Sequence, residues 1–427
     1  MHKIVLLIGA IFIVHFSFAQ QLNRCYTHEL MLEKEKQQPG YMQRVDAIFN
    51  QAKQYAAGKS AHRAIGDTIY HVRCVFHVLY TTPAENIDDS VIRNQIDVLN
   101  RDYRRRNADT VDTRPVFQDR AGDTRIEFFL ADTDPNGNPT TGITHTVGNP
   151  GFLGYNAFTD NAKAAATGGK DPWPTDQYLN IWVCNISLFG VLGYAFPPDN
   201  APNWPANSGA DSSKQGVVLD TRVVGNNNPN PIDSTVSGGR SAVHEIGHYL
   251  GLRHIWGDNN GTCANDDGLD DTPKANNAHQ QTCDKNSNTC VDSPVDDPDM
   301  SENYMDYSDD RCLNMFTQQQ IGIMHAMLAT SRAGIAWVDV VTGMEELSAT
   351  SSIDVFPNPT KGMFTVRTNE KGKTNVFVDN TVGQLVLSTS SENGISTLDL
   401  TTQPTGIYYV KVTSGNESSV KRLEVIR

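Results

Sequence analysis

Residues 241–254 read SAVHEIGHYLGLRH, a pattern H-E-x-x-H-x-x-G-x-x-H built on His244, Glu245, His248, Gly251 and His254. His244 and His248 stand four residues apart, one helical turn, so both imidazoles share a face. Glu245 falls to the side, where it reaches a metal-bound water without ligating the metal. Gly251 takes the left-handed conformation that ends a helix, and the returning chain brings His254 to the same metal. Three neutral imidazoles with one open position describe a catalytic zinc site, with Glu245 as general base. The plain alternative is a helix with satisfied histidines. H-E-x-x-H alone arises by chance in roughly one chain in a hundred of this size, and the added Gly and His cut that to about one in 10⁵.

The full pattern resembles the metzincin metallopeptidases. Arg24-Cys25-Tyr26-Thr27 adds a thiol near the start of the exported chain. Its thiolate is a zinc ligand that fills the open position and excludes water, like the cysteine switch of latent metzincins. Cleavage between residues 58 and 67 would release it.

The elements that position these groups follow from hydrophobic period. Residues 71–80 (HVRCVFHVLY), 126–131 (IEFFLA) and 178–186 (YLNIWVCNI) predict buried strands. Residues 90–103 carry Val91, Ile92, Ile96, Val98 and Leu99 at helical spacing. Residues 190–198 (GVLGYAFPP), Gly-bounded and ending in prolines, predict an edge strand with free main-chain groups for an extended peptide. The polar loop 199–216 is expected at the surface, and residues 217–224 lead into the zinc helix. A helix over 318–328 closes the lower lobe. Residues 20–60 are charged and helix-permissive.

Between residues 258 and 310 aspartate occurs 13 times, against Lys274 and Lys285. Such a segment does not fold on apolar burial alone. Four cysteines, Cys263, Cys283, Cys290 and Cys312, lie in or beside it, and in an exported chain they read as two disulfides whose pairing spacing does not decide. Hard oxygen ligands suit Ca²⁺, and Asp267, Asp270, Asp271 and Thr272 lie in one short loop. Cys74 and Cys184 fall in buried strands and read as inert core thiols.

HEIGHYLGLRH, the D-D-T-P at 270–273, the four cysteines and NYMDYSDD together resemble the pappalysin family of metzincins, over residues 68–336 plus Cys25. The resemblance implies Met305 in a tight turn beneath the zinc histidines and Tyr307 near the metal, donating to the tetrahedral oxyanion. It implies the disulfides Cys263–Cys290 and Cys283–Cys312, and calcium held by Asp267, Thr272 and a main-chain carbonyl near Asp270. Some relatives prefer basic side chains after the scissile bond, using an acidic pocket just past the Met-turn. Asp309 and Asp310 stand there, and the neighbouring Arg311 counts against that preference.

Residues 353–427 alternate short strands with turns at about ten-residue spacing, an all-β sandwich pattern. FPNPTKGMF, QPTGIYYVKV and KRLEVI resemble the C-terminal sorting domain of type IX secretion cargo. Residues 1–19 resemble a secretory signal, with an apolar core at 4–14 too short to span a bilayer. The net charge of −14 argues against nucleic acid.

The expected fold is α+β: a metzincin-type catalytic domain with a twisted mixed sheet, helices and an irregular lower lobe, followed by a C-terminal β-sandwich. The expected organisation is a signal peptide at 1–19, propeptide at 20–62, metallopeptidase at 63–340, linker at 341–352 and sorting domain at 353–427. The expected function is a secreted or cell-surface zinc endopeptidase, exported through the periplasm and made as a latent zymogen. Its cofactors are zinc and structural calcium. Its partners are protein or peptide substrates and the type IX machinery, with no membrane span in the mature protein. A non-catalytic adhesin on the same scaffold is the alternative, and the intact Glu245 argues against it.

Overall fold

The apolar, β-branched run YHVRCVFHVLY forms β1 (Tyr70–Tyr80), and a sheet is built outward from it. β2 (Ile126–Leu130) pairs parallel with its first half, and β3 (Ile143–Val147) with its second. On the other side lies β4 (Leu179–Cys184), also parallel. β5 (Gly193–Ala195) pairs antiparallel with β6 (Val217–Asp220), which pairs parallel with β4, so β5 ends the sheet. β7 (Ala336–Val338) runs antiparallel to the start of β1. The parallel strands β1, β4 and β6 are buried almost throughout, as strands covered on both faces must be.

This computed structural model describes residues 22–62, 68–186, 190–198, 215–259, 261–338, 353–368, 373–380, 385–414 and 417–426. The expected signal at 1–19, the expected linker at 341–352, the last part of the expected cleavage region (63–67) and residues 199–214 of the expected surface loop lie outside the described residues. The chain divides into two compact units, Met1–Asp339 and Val340–Arg427.

In the first unit, α1 (Thr27–Gln37) and α2 (Tyr41–His62) form from the leading charged segment. α3 (Asp89–Tyr103) starts where the Asp88 side chain accepts the Ser90 amide, and it buries Val91, Ile92, Val98 and Leu99. α3 packs on β2 and on α4 (Arg240–Tyr249), where the Tyr103 hydroxyl donates to the Val243 carbonyl at 3.1 Å. α5 (Gln318–Ala329) opens with a capping box between Thr317 and Gln320. α2 lies along α5, and its Ile48, Phe49 and Ala52 join the main core. Between α4 and α5 the described chain has neither helix nor strand, as the aspartate-rich composition predicts.

Two elements were not legible in the hydrophobic pattern. β3 (ITHTV) alternates weakly and β7 is three residues long. Both are strands because β1 offers them a ladder, not because their own composition demands it.

The second unit is all β. One sheet has the order β11 (Leu385–Ser391), β10 (Thr374–Asn380), β13 (Gly406–Ser414), β14 (Glu417–Val425). The other has the order β12 (Ile395–Asp399), β9 (Met363–Thr368), β8 (Ile353–Phe356). Phe364, Val376, Val410 and Leu423, drawn from both sheets, share one core. No helix among the described residues is long and apolar enough to cross a membrane.

Candidate active site

α4 carries Arg240 to Tyr249 and ends at Leu250, after which Gly251 turns at φ +88°. A side chain there would be strained by that φ and would strike Met327, so glycine is required. The turn returns His254, and the Nε2 atoms of the three histidines converge: His248 lies 3.1 Å from His244 and 3.0 Å from His254. Each Nδ1 faces an acceptor. His244 bonds the Tyr304 carbonyl (2.8 Å), His248 the Leu252 carbonyl (2.9 Å) and His254 the Asp258 carboxylate (2.7 Å).

Those acceptors fix the protons on Nδ1 and leave three Nε2 lone pairs aimed at one point. Burial, and then the neighbouring histidines, hold His244 well below the ordinary imidazole range and His248 at about 3. Neutral, buried lone pairs this close repel one another unless a cation sits between them. The Cys25 sulfur completes the group, its ligand atom and the three imidazole nitrogens all lying within 4.8 Å of one another. Burial, then the Glu245 charge, pushes the Cys25 thiol well above its usual value, opposite to what a thiolate ligand needs. A bound divalent cation reverses that balance. The donor set of nitrogens and sulfur fits zinc.

Glu245 is fully buried beside this point, and burial pushes its carboxyl up to about 8. Oε2 accepts from Thr27 Oγ1 (3.2 Å) and faces the Cys25 thiol (3.4 Å), while Oε1 has no hydrogen-bond partner among the described residues. The carboxylate lies under the edge strand so closely that a Cβ on Gly193 would come within 2.9 Å of Oε1.

The leading segment fills the cleft above. The Asn23 amide donates to the Gly190 carbonyl (2.8 Å), Leu192 to Asn23 (3.0 Å) and Tyr26 to Gly193 (3.0 Å), so the segment runs parallel to the edge strand. The Tyr307 hydroxyl donates to the Cys25 carbonyl at 3.2 Å, and burial keeps that phenol protonated. The His28 imidazole faces Asp258 at 3.1 Å.

Below the histidines, Met305 is buried in a turn closed by the Asp306 amide on the Asn303 carbonyl (3.0 Å). Asp310 takes the Arg24 guanidinium, which also donates to the Ser308 carbonyl. Asp309 pairs instead with Arg311, whose side chain is 74% exposed. Arg311 therefore leaves Asp310 to Arg24.

Disulfides join Cys263 to Cys290 and Cys283 to Cys312, and Cys74 and Cys184 are free and buried. Thr272 Oγ1 donates to Asp267 Oδ1 (2.6 Å). Asp267 Oδ2 is buried without a partner among the described residues, and burial pushes this carboxyl up to about 8. Asp270 is exposed, and Asp271 caps α5 through the Gln319 amide (2.8 Å) and Thr317 hydroxyl (2.8 Å).

Sequence reasoning missed Arg24, Thr27, Asp258 and Gly193. Asp258 alone had a local signal, an acid four residues after a metal-ligand histidine. The others meet the centre only through tertiary contacts.

Comparison with known proteins agrees with this geometry. The profile of the family described as pregnancy-associated plasma protein-A matches residues 161–329, and that of the secretion system C-terminal sorting domain matches residues 354–426. An extracellular metalloprotease of Arthroderma benhamiae is 28% identical over 265 residues, 62% of this chain and 74% of that one. Mature mirolysin of Tannerella forsythia in complex with a cleaved peptide is 38% identical, with a TM-score of 0.56, covering 63% of this chain and 96% of that one. A mutant of promirolysin from the same organism is 35% identical, with a TM-score of 0.62, covering 73% and 96%. The chain belongs to the pappalysin family and is a secreted or cell-surface zinc metalloendopeptidase with a C-terminal sorting domain.

Proposed function

We propose that the chain is a latent endopeptidase that hydrolyses peptide bonds by general-base catalysis with Glu245, and that residues 20–62 are its propeptide. The convergence of three Nε2 lone pairs beside the buried Glu245 carboxylate carries this reading. A zinc ion held by His244, His248 and His254 supplies Lewis-acid polarisation of the scissile carbonyl and acidifies the attacking water. Glu245 accepts the proton of that water and delivers it to the leaving amine. The Tyr307 phenol, which now donates to the Cys25 carbonyl, donates to the oxyanion that develops on the substrate carbonyl. The edge strand at 190–195 binds substrate main chain, since its amides and carbonyls already hold the propeptide. Cys25 occupies the position that water needs.

The Arg24–Asp310 pair supports a pocket for a basic substrate side chain next to the scissile bond, with Arg311 turned to Asp309. The buried, unpartnered Asp267 Oδ2 beside Thr272 supports a calcium site completed by main-chain carbonyls. The C-terminal unit hands the protein to the type IX machinery. The test of the mechanism is Glu245→Ala in the mature enzyme, measured for zinc content and for turnover. Full zinc with activity reduced at least a thousandfold is expected, because no ligand is touched and the proton carrier is gone. Near-normal turnover overturns it.

A further inference from the structure

Arg24 and Tyr26 flank Cys25, and their side chains go to different places. Arg24 reaches Asp310 in the lower loop. Tyr26 donates its amide to the edge strand at Gly193 and lays its ring against Phe158, edge to face, with centroids 5.1 Å apart and planes at 65°. It also packs on the apolar cluster above the cleft that contains Ala157, Val191, Tyr194 and Phe196, and one helical turn later Leu30 is buried in that cluster.

The loop that carries Phe158 is built to hold it there. Asn156 and Asp160 are buried, and Asn156 Oδ1 accepts the Thr159 amide at 3.0 Å. The Asp160 amide returns to the Asn156 carbonyl (3.1 Å), and its carboxylate accepts the hydroxyl of Tyr194, on the edge strand, at 2.8 Å. The buried Lys163 ammonium pairs with the same carboxylate at 3.3 Å. Phe158 is thus fixed relative to the strand that binds main chain, yet stays 55% exposed even under Tyr26. A ring held beside the strand that binds main chain, and already engaged there by the ring of Tyr26, is placed as a contact surface.

We propose that Phe158 is a specificity-determining residue of the mature enzyme, and that with the cluster beneath it receives an aromatic or long apolar side chain of the peptide substrate on the flank of the cleft away from Asp310. This rests on the reading of the centre as a peptidase. Tyr26 is the propeptide's stand-in for that side chain, as Arg24 is for the basic one. An edge-to-face pair of this kind is worth roughly threefold to tenfold in affinity.

The experiment uses mature enzyme and a peptide library randomised over three positions on each side of the scissile bond, with products read by mass spectrometry. Wild type is expected to favour Tyr, Phe and Leu over Ala at one position by about threefold to tenfold in kcat/KM. Phe158→Ala should bring that ratio within about twofold of unity, mainly through KM, and Phe158→Tyr should keep it. The basic preference is read at a separate position. Its loss with the aromatic effect intact defeats the Asp310 pocket and supports this proposal. A Phe158→Ala profile that keeps the aromatic preference, or a wild-type profile that lacks it, overturns the proposal while leaving the pocket standing. As a readout independent of turnover, Glu245→Ala enzyme is titrated with a fluorescent peptide bearing Tyr or Ala at that position. Tighter binding of the Tyr peptide, abolished by Phe158→Ala, is expected, and equal binding overturns the proposal.

Discussion

Thr27 Oγ1 lies 3.2 Å from Glu245 Oε2 and accepts the Ala195 amide at 3.0 Å. One hydroxyl thus engages both the proposed general base and an edge-strand donor that a bound peptide would use. On the proposed reading Cys25 takes the place that the attacking water needs, so two side chains two residues apart would block two different requirements of the reaction.

Latency should therefore come off in two steps. The Cys25→Ala precursor should cleave a quenched peptide in its first minutes where wild-type precursor is nearly silent. Cys25→Ala combined with Thr27→Ala should be faster still, and Thr27→Ala alone should change little while the thiol remains. Mature enzyme from all four precursors should have one specific activity. A Cys25→Ala precursor as silent as wild type, at full zinc occupancy, leaves steric covering by the helices as the whole explanation.

Asp310 accepts the Gly238 amide (2.8 Å) as well as the Arg24 guanidinium, so its charge must be removed without changing its shape. Asp310→Asn in the mature enzyme should lower kcat/KM for substrates with Arg or Lys in that pocket by about ten- to a hundredfold, the worth of a charge-assisted hydrogen bond. Substrates with a neutral side chain there should lose far less. Equal losses on both substrates would mean that Asp310 only holds the loop.

Calcium is tested by its absence. A calcium-selective chelator that leaves zinc in place should lower the melting temperature by several degrees, since the buried Asp267 would lose its counter-ion and have to take up a proton, and the binding free energy would go with it. Asp267→Asn should lower it without the chelator and remove most of the chelator's effect. An unchanged melting temperature in both experiments argues that the loop folds on its own hydrogen bonds.

What was legible in the chain was local. The H-E-x-x-H spacing and the glycine that ends α4 are short patterns whose geometry follows from helix period and turn sterics, whereas Met305 was reached only through the family resemblance. The sandwich strands were legible because period-two alternation is local too. Arg24 meeting Asp310 across 286 positions was not, because nothing in either residue's neighbourhood names the other. Gly193 passed unremarked inside the expected edge strand 190–198, whereas its missing side chain makes room for Glu245. β3 and β7 escaped for the same reason, since their pairing partner, and not their sequence, makes them strands.

The last prediction concerns His279, which sequence reasoning passed over. Its Nδ1 lies 2.7 Å from Asp306 Oδ2, and its amide donates to Asp306 Oδ1 at 3.1 Å. Its Nε2 faces Asp299 at 3.8 Å. The imidazole therefore ties the turn that holds Met305 and Tyr307 to the disulfide-bridged loop. Burial alone would lower its pKa, but the Asp306 hydrogen bond and charge, with Asp299 and Asp284, outweigh it and raise the value. A histidine whose folded pKa lies above its unfolded value of about 6.5 stabilises fully below that pH, and loses the contribution as pH rises through the folded value. The difference in melting temperature between wild type and His279→Gln should thus be largest below about pH 6.5 and shrink as pH rises above it. Comparing the two proteins at each pH removes the titration of the carboxylates they share. A difference that stays constant across the range would show that His279 acts as a neutral spacer, and one that grows with pH would reverse the assigned charge.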